Sequence, residues 1–317
     1  MGTRNPHDSF FRAVFSRPQL AADQFRLLLP PRLVEQLDLE HMRHRSGNFV
    51  DEDLADTASD VLFEVKLAQR DALIYVLYEH QSHVDPLMAG RMLIYMARAW
   101  AQHLRQNPDA RRLPAIIPVL LHQGPQGWTA CTELHDLIDL PEDLLNLVRD
   151  HVPSYRLLVD DLTKSSDDEL EGRSSEALAK VALLLLRHAR DRRELFLRAL
   201  ERVAGYLQQL EKSDQLLAGT YILVVGNATP QEIEQVLERS VPAEIKEAIM
   251  TAGEQLMQQG ELRERRRNLV TALENLFAAA PLDPETTSRI NSADGDQLDH
   301  WFERAFKVQS LPEVFSE

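Results

Sequence analysis

A single cysteine, Cys131, is all the thiol chemistry available to this chain of 317 residues. One thiol can build neither an internal disulfide framework nor a cysteine-rich zinc site. His135 is the one candidate base near it, at helical spacing if that stretch is helical, and an unpaired cysteine ordinarily packs as a small hydrophobe. Glycine (12) and proline (16) are sparse and scattered, which leaves no long disordered linker. No internal repeat of about 20 to 50 residues is present. No glycine-rich phosphate loop, dinucleotide fingerprint or Ser-His-Asp signal occurs. Long hydrophobic runs are missing too. The longest aliphatic run, Val181 to Leu186, is far short of the ~20 residues that span a bilayer, and the opening MGTRNPHDSFF has no apolar core. No membrane association is expected, and cytoplasm is the simplest address.

Positive charge is in deficit as well: 35 Lys and Arg against 50 Asp and Glu give a formal net charge of -15. Such a surface repels polyanions as a whole. It still permits a local basic groove, because salt confines exposed charges to about 8 Å.

Apolar residues at 44% and charged residues at 27% describe an ordinary folding chain. Its length predicts one main domain of roughly 200 residues plus a smaller appendage. Asp8 is positioned to cap a first helix carrying Phe10, Phe11, Val14 and Phe15, and a second helix follows from about Gln19 to Leu29. Strand periodicity begins near Phe49. Val61, Phe63 and Val65 alternate with Asp60, Leu62 and Glu64, and Gln69-Arg70-Asp71 reads as a polar turn into a second, doubly buried strand, Ala72 to Gln81. A long helix from Leu87 to about Arg105 and a buried strand from Ala115 to Gly124 complete a mixed α/β core. Beyond Leu140 the pattern is helical. Near the end, Asp283 and Pro284 suit N-cap and N1, Leu298, Trp301, Phe302, Ala305 and Phe306 form one stripe, and Ser310 with Glu313 fits a capping box.

The second strand ends on Glu79 and Gln81, which share a face. With the turn near Gln69 to Arg70, pairing brings Asp60 opposite the Glu79 region. Two converging carboxylates repel unless a cation lies between them, and Mg²⁺ prefers such oxygen ligands while keeping waters for chemistry. That arrangement suits phosphodiester hydrolysis, with Asp60 and Glu79 as ligands and Gln81 orienting the water. The plainer reading makes both acids solvated residues marking where two strands leave the core. Glu64, further along the Asp60 face, either assists or is simply exposed. His80 falls on the opposite face from Glu79, so its backbone carbonyl is the candidate metal contact. His80 and His83 lack a third ligand at zinc spacing.

The segments PHDSFFRAVFS, FVDEDLADTASDVLFEV, YVLYEHQSHVDPLMAGRMLIYMARAW and PAIIPVLLHQG with the following Trp128 resemble the PD-(D/E)XK nuclease superfamily. More narrowly they are similar to the Rpn (recombination-promoting nuclease) or YhgA-like transposase family, over roughly residues 5 to 250. The terminal DGDQLDHWFERAFKVQSLPEVF resembles the small helical domain often appended to related bacterial chains. The resemblance implies a mixed central sheet flanked by helices, Asp60 and Glu79 as metal ligands, and Gln81 where the superfamily usually has lysine. Glutamine offers only neutral hydrogen bonds, so catalysis is put in doubt more than metal binding. His7 and Asp8 match the family's opening as neighbours of the cleft.

Arg91, Arg98 and Arg105, seven apart on the long helix, make a stripe that Arg111 and Arg112 extend, a candidate path for phosphates or a solvated face. The RERRR run at 263 to 267 is a second basic candidate. The expectation is therefore a nuclease-like domain over 1–250, a connecting helix over 251–281 and a small helical domain over 282–317. Its function would be Mg²⁺-dependent DNA endonuclease activity, with Mn²⁺ or Ca²⁺ as other cofactors, linked by resemblance to recombination or mobile elements. A noncatalytic nucleic-acid-binding or regulatory protein is the rival, and homo-oligomers through the C-terminal helices a further option.

Overall fold

Between Ser59 and Glu79 the chain makes a tight hairpin, because two apolar strands are separated by only two residues. The structure, a computed structural model, describes residues 5–45, 59–68, 70–79, 84–124, 126–277 and 281–316, the side chains of 59–60, 75–79, 256, 257 and 259 excepted. These residues form two compact units, Met1–Ile249 and Met250–Glu317. None of the described helices is long and apolar enough to cross a membrane.

The first unit opens with α1 (Pro6–Phe15), α2 (Pro18–Leu28) and α3 (Pro31–Val34), followed by β1 (Arg43–Arg45), β2 (Ser59–Leu67), β3 (Arg70–Glu79), α4 (Met88–Gln106) and β4 (Ala115–His122). Then come α5 (Glu142–Val148), β5 (Leu158–Asp161), α6 (Asp167–Gly172), α7 (Ala177–His188), α8 (Arg193–Leu207), α9 (Lys212–Val225) and α10 (Pro230–Ser240), and α11 (Ala243–Leu276) begins in this unit and continues into the second. The strands order as β1-β2-β3-β4-β5, antiparallel from β1 to β3 and parallel from β3 to β5. Helix α4 is the crossover that parallel pairing of β3 with β4 requires. The result is the mixed α/β sheet flanked by helices expected of a PD-(D/E)XK-like fold.

Both faces of the sheet are covered. Leu62, Leu73 and Leu120 pack on one side with Met88, Met92, Tyr95 and Met96 of α4, and with Trp128 and Leu157. On the other side Phe63 meets Phe25 edge-on at 5.7 Å, and Phe11, Phe15, Val119 and Leu121 line the same small apolar cavity. Strand β2 is therefore not the simple alternating strand its sequence suggests: Leu62 is as buried as Val61 and Phe63. Glu64 is exposed and pairs with Arg45 at 3.3 Å.

Three local expectations are corrected. The cap of α1 is Asn5, whose side chain accepts from the His7 N–H, and Asp8 sits within the first turn. Leu67 pairs with Arg70, so the hairpin turns one residue earlier than the polar Gln69-Arg70-Asp71 run implies. Ala68 supplies that turn in the left-handed region, φ 46°. Strands β1 and β5 lie in segments not assigned to strands from the sequence.

An alanine in that region is strained, and the Ala68 N–H is held by the Gln36 carbonyl at 2.9 Å. Ala68→Gly is expected to raise stability by roughly 0.5–1 kcal/mol, the relief of strain exceeding the added freedom of the unfolded chain. The midpoint of urea unfolding reads this directly, and a lowered midpoint would contradict it.

The second unit contains α12 (Pro284–Ser292), α13 (Gly295–Ala305) and α14 (Leu311–Val314) around Leu269, Leu273, Ile290, Leu298, Trp301 and Val314. Asp283 caps α12 through the Glu285 and Thr286 N–H groups, with Pro284 in the first turn, as its sequence predicts. The expected stripe on α13 is narrower than drawn. Leu298, Trp301 and Ala305 are buried, whereas Phe302 and Phe306 lie a further ~100° round the helix, exposed and packed edge-on at 5.3 Å. Ser310 makes no side-chain cap. Its hydroxyl donates instead to the Glu313 carboxylate at 2.7 Å.

Candidate functional site

Ladder register decides which residues can meet. Asp60 pairs with Leu77, Glu79 with His122, and His122 with Asp161. Paired residues share a face and alternate residues along a strand do too, so positions 60, 79, 122 and 161 lie on one face of the sheet. They also lie at one end, where the parallel strands β3 to β5 run out. Positions 60 and 79 are diagonal neighbours, a relation that places such residues about 7–8 Å apart. His80 and Gln81 lie outside the described residues.

Two members of this row were not picked out from the sequence. His122 is 1% exposed, and among the described residues neither ring nitrogen makes a well-formed hydrogen bond, the Gly127 backbone being the nearest partner. Its ring meets Trp128 edge-on at 5.2 Å, and the Trp128 indole N–H is buried without a partner among the described residues. Gly124 makes room for the ring: a Cβ there would lie 2.6 Å from Nε2. Since Gly124 follows two residues later on the same strand line, the ring runs toward the open end of the sheet. Burial pushes the His122 pKa below its usual range, with Asp161 and the Gly127 backbone opposing and Lys164 and Arg190 adding.

Asp161 has its carboxylate fully engaged. Oδ2 accepts the Trp128 N–H at 2.7 Å, and Oδ1 accepts the Thr163 N–H at 3.1 Å and hydroxyl at 2.7 Å. Burial alone would raise its pKa, but these bonds outweigh it and the net shift is downward. Gly127, at φ 71°, lets the backbone approach: a Cβ would stand 3.0 Å from Asp161 Oδ2. Asp161 therefore fastens the segment after β4 that carries Trp128. Its neighbour Asp160, on the other face, is tied to Arg173 at 2.8 and 3.0 Å. A sequence signal did exist here, in the short apolar run Leu157 to Val159 stopped by two acids.

His7 and Asp8 lie in the first turn of α1. His7 Nδ1 is 2.6 Å from the Tyr221 hydroxyl, and burial first, then the Arg190 charge, brings its pKa down to about 4. Arg190 thus acts on both His7 and His122. Burial lifts Asp8 to about 6, against the pull of Arg12. The two shifts oppose each other in the stability profile. Between about 4 and 6.5 the unfolded chain holds the His7 proton more tightly, so that group makes stability rise with pH. Between 3.8 and about 6 the fold holds the Asp8 proton more tightly, so that group makes stability fall. Asp8→Asn should unmask a rise, and His7→Phe a fall, of roughly 1–2 kcal/mol each after allowance for solvent screening. Urea unfolding at pH 4, 5 and 6 measures both slopes, and parallel profiles for the two variants would refute the opposition.

The basic stripe is spread along α4. Arg91, at the end near the row, is bonded to Asp85 Oδ2 at 2.7 Å and to the Tyr95 hydroxyl at 3.2 Å. Arg98 is half-buried, and Arg105, Arg111 and Arg112 are exposed. Because Ala115 pairs with Ala72 while His122 pairs with Glu79, Arg105, Arg111 and Arg112 lie toward the end of the sheet opposite the acid row. In the second unit RERRR is largely engaged: Arg265 with Asp299 at 2.5 Å, Arg266 with the Ala293 carbonyl at 3.0 Å and Arg267 with Glu264 at 4.0 Å. Burial, and secondarily the Asp136 charge, raise the Cys131 pKa, so it is no activated thiolate, and His135 sits in a separate 3-10 turn. Among the described residues no group of three His, Cys, Asp or Glu is gathered as a metal cluster.

Residues 5–218 match the family model described as "Putative transposase, YhgA-like". The chain is 32% identical over 263 residues to the recombination-promoting nuclease RpnA of Escherichia coli K12, covering 81% of this chain and 85% of that one. It is 34% identical over 193 residues to RpnD of Escherichia coli O157:H7, covering 60% and 70%. It is also 30% identical over 263 residues to RpnE of Escherichia coli K12, covering 81% and 83%, a protein named as an inactive member. No solved structure matches with significance. The chain thus belongs to the YhgA-like transposase family, alongside the Rpn recombination-promoting nucleases.

Proposed function

We propose that this protein is a Mg²⁺-dependent DNA endonuclease that hydrolyses phosphodiester bonds in a process linked to recombination. The observation that carries this reading is the β2–β3 register, which sets positions 60 and 79 on one face, a diagonal step apart, at the end of a sheet whose relatives are named nucleases. Two carboxylates at that spacing match the oxygen donors a hard divalent cation takes.

In this reading Asp60 and Glu79 hold the cation, with the His80 backbone carbonyl as a further contact. A bound Mg²⁺ would lower the pKa of water and offset charge at the phosphate, and Mn²⁺ or Ca²⁺ would fit the same donors. Gln81 orients the attacking water through its amide, accepting from the water without taking its proton. His7 and Asp8 belong to α1, which packs on the sheet face opposite the acid row, so they can neighbour the cleft only past the end of the strands. Arg91 anchors the near end of a path for the DNA backbone, with Arg98, Arg105, Arg111 and Arg112 farther from the acids along the same flank. Binding through such arginines would weaken as salt rises.

A second reading, a binding or regulatory protein that retains the fold without catalysis, is favoured by Gln81 in place of lysine and by the inactive relative. Nicking of supercoiled plasmid with Mg²⁺ but not EDTA supports the nuclease. Salt-sensitive DNA retention with no nicking by a folded preparation supports the rival.

A further inference from the structure

We infer that His122 is a third protein ligand, beside Asp60 and Glu79, for the divalent cation of the proposed centre. The inference rests on the nuclease reading and adds a nitrogen donor to an otherwise all-oxygen site. Its first ground is the ladder: Glu79 and His122 are direct partners in the parallel β3–β4 pair, on strands that in such sheets stand about 4.8 Å apart, and on the face that carries position 60. Three adjacent strands thereby contribute one donor residue each.

The second ground is independent of the register. A fully buried imidazole normally satisfies its nitrogens; here, among the described residues, the Gly127 backbone is the one group that acts on the ring as a hydrogen-bond partner, and at least one nitrogen is left open although the ring is 1% exposed. The fold spends a glycine at 124 to admit the ring and a tryptophan at 128 to wall it. Asp161, the next residue in the row, cannot serve in the same way because its oxygens are committed to Trp128 and Thr163.

A nitrogen donor changes ion selectivity. Sites of carboxylates alone suit Mg²⁺ and Ca²⁺, whereas an added imidazole favours transition ions such as Mn²⁺ and Co²⁺. The full-length protein, titrated with Mn²⁺ alone and examined by electron spin-echo spectroscopy, should show a ¹⁴N coupling from a bound histidine. His122→Leu, and His122→Phe should the first fail to fold, should lose that coupling and weaken Mn²⁺ by about tenfold or more, while the melting temperature is unchanged or raised. Mn²⁺ held in an Asp60-dependent manner without nitrogen coupling, or coupling that survives both substitutions, overturns the role of His122 and leaves the parent reading standing. Absence of Mn²⁺ binding, or binding indifferent to Asp60→Ala and Glu79→Ala, removes both.

Discussion

Asp60→Ala and Glu79→Ala are each expected to reduce Mg²⁺-dependent DNA cleavage by about 10³-fold or more while leaving the fold intact. The size follows from the work assigned to the cation: losing several kcal/mol of charge stabilisation at the phosphate costs a factor of ten for each ~1.4 kcal/mol. The unchanged fold follows from electrostatics. Like charges on diagonal positions repel, so removing one costs the native state nothing in mutual repulsion. Glu64→Ala is the matched control, because Glu64 shares the strand and the face but is exposed and paired with Arg45. It should cleave at the normal rate. Equal losses in all three variants would mean that general damage to β2, not a metal centre, explains the effect, and melting temperatures distinguish these cases.

The second large effect concerns stability. Arg173→Ala should destabilise the protein by about 3–5 kcal/mol at pH 7, because it strands a buried carboxylate. Asp160 is 2% exposed, its pKa is raised by burial, and Arg173 is the charge that opposes that rise. Arg173 also donates to the Ser165 hydroxyl at 2.9 Å, so the arginine ties β5 to the segment leading into α6. Without the guanidinium, the acid escapes its penalty by taking up a proton. The deficit of the variant should therefore shrink as pH falls toward 5, and Asp160→Asn added to Arg173→Leu should recover most of the loss. Urea unfolding at pH 7 and pH 5 tests this. A loss below about 1 kcal/mol at pH 7 would show that the pair is solvated and its burial overstated.

Much of the core was legible in the sequence because burial on both faces leaves a continuous apolar run. Ala72 to Ile74 and Val119 to Leu121 carry that pattern, and both fold as inner strands. The hairpin was legible in kind but not in register, since alanine is no turn signal and Ala68 adopts a backbone that turn-forming glycine or asparagine would have announced. Moving a hairpin turn by one residue moves every pair by two, so facing is preserved and the shared face of Asp60 and Glu79 survived the error. Strand β5 was not legible: four residues, two of them acids, resemble a loop until a neighbouring strand pairs with them and Arg173 and Thr163 satisfy the carboxylates. The same limit hid His122. Its place beside Glu79 is a long-range pairing that local periodicity cannot report. Helical spacing correctly aligned Arg91, Arg98 and Arg105, yet only the sheet register shows that Arg105 stands toward the far end from the acids.

The most direct measurement is the fate of supercoiled plasmid incubated with purified wild-type and Glu79→Ala proteins, each with Mg²⁺ and with EDTA. The account predicts nicked and linear products from the wild type with Mg²⁺ only. Intact plasmid in every lane, from protein shown to be folded, or equal cutting by both proteins, would contradict it.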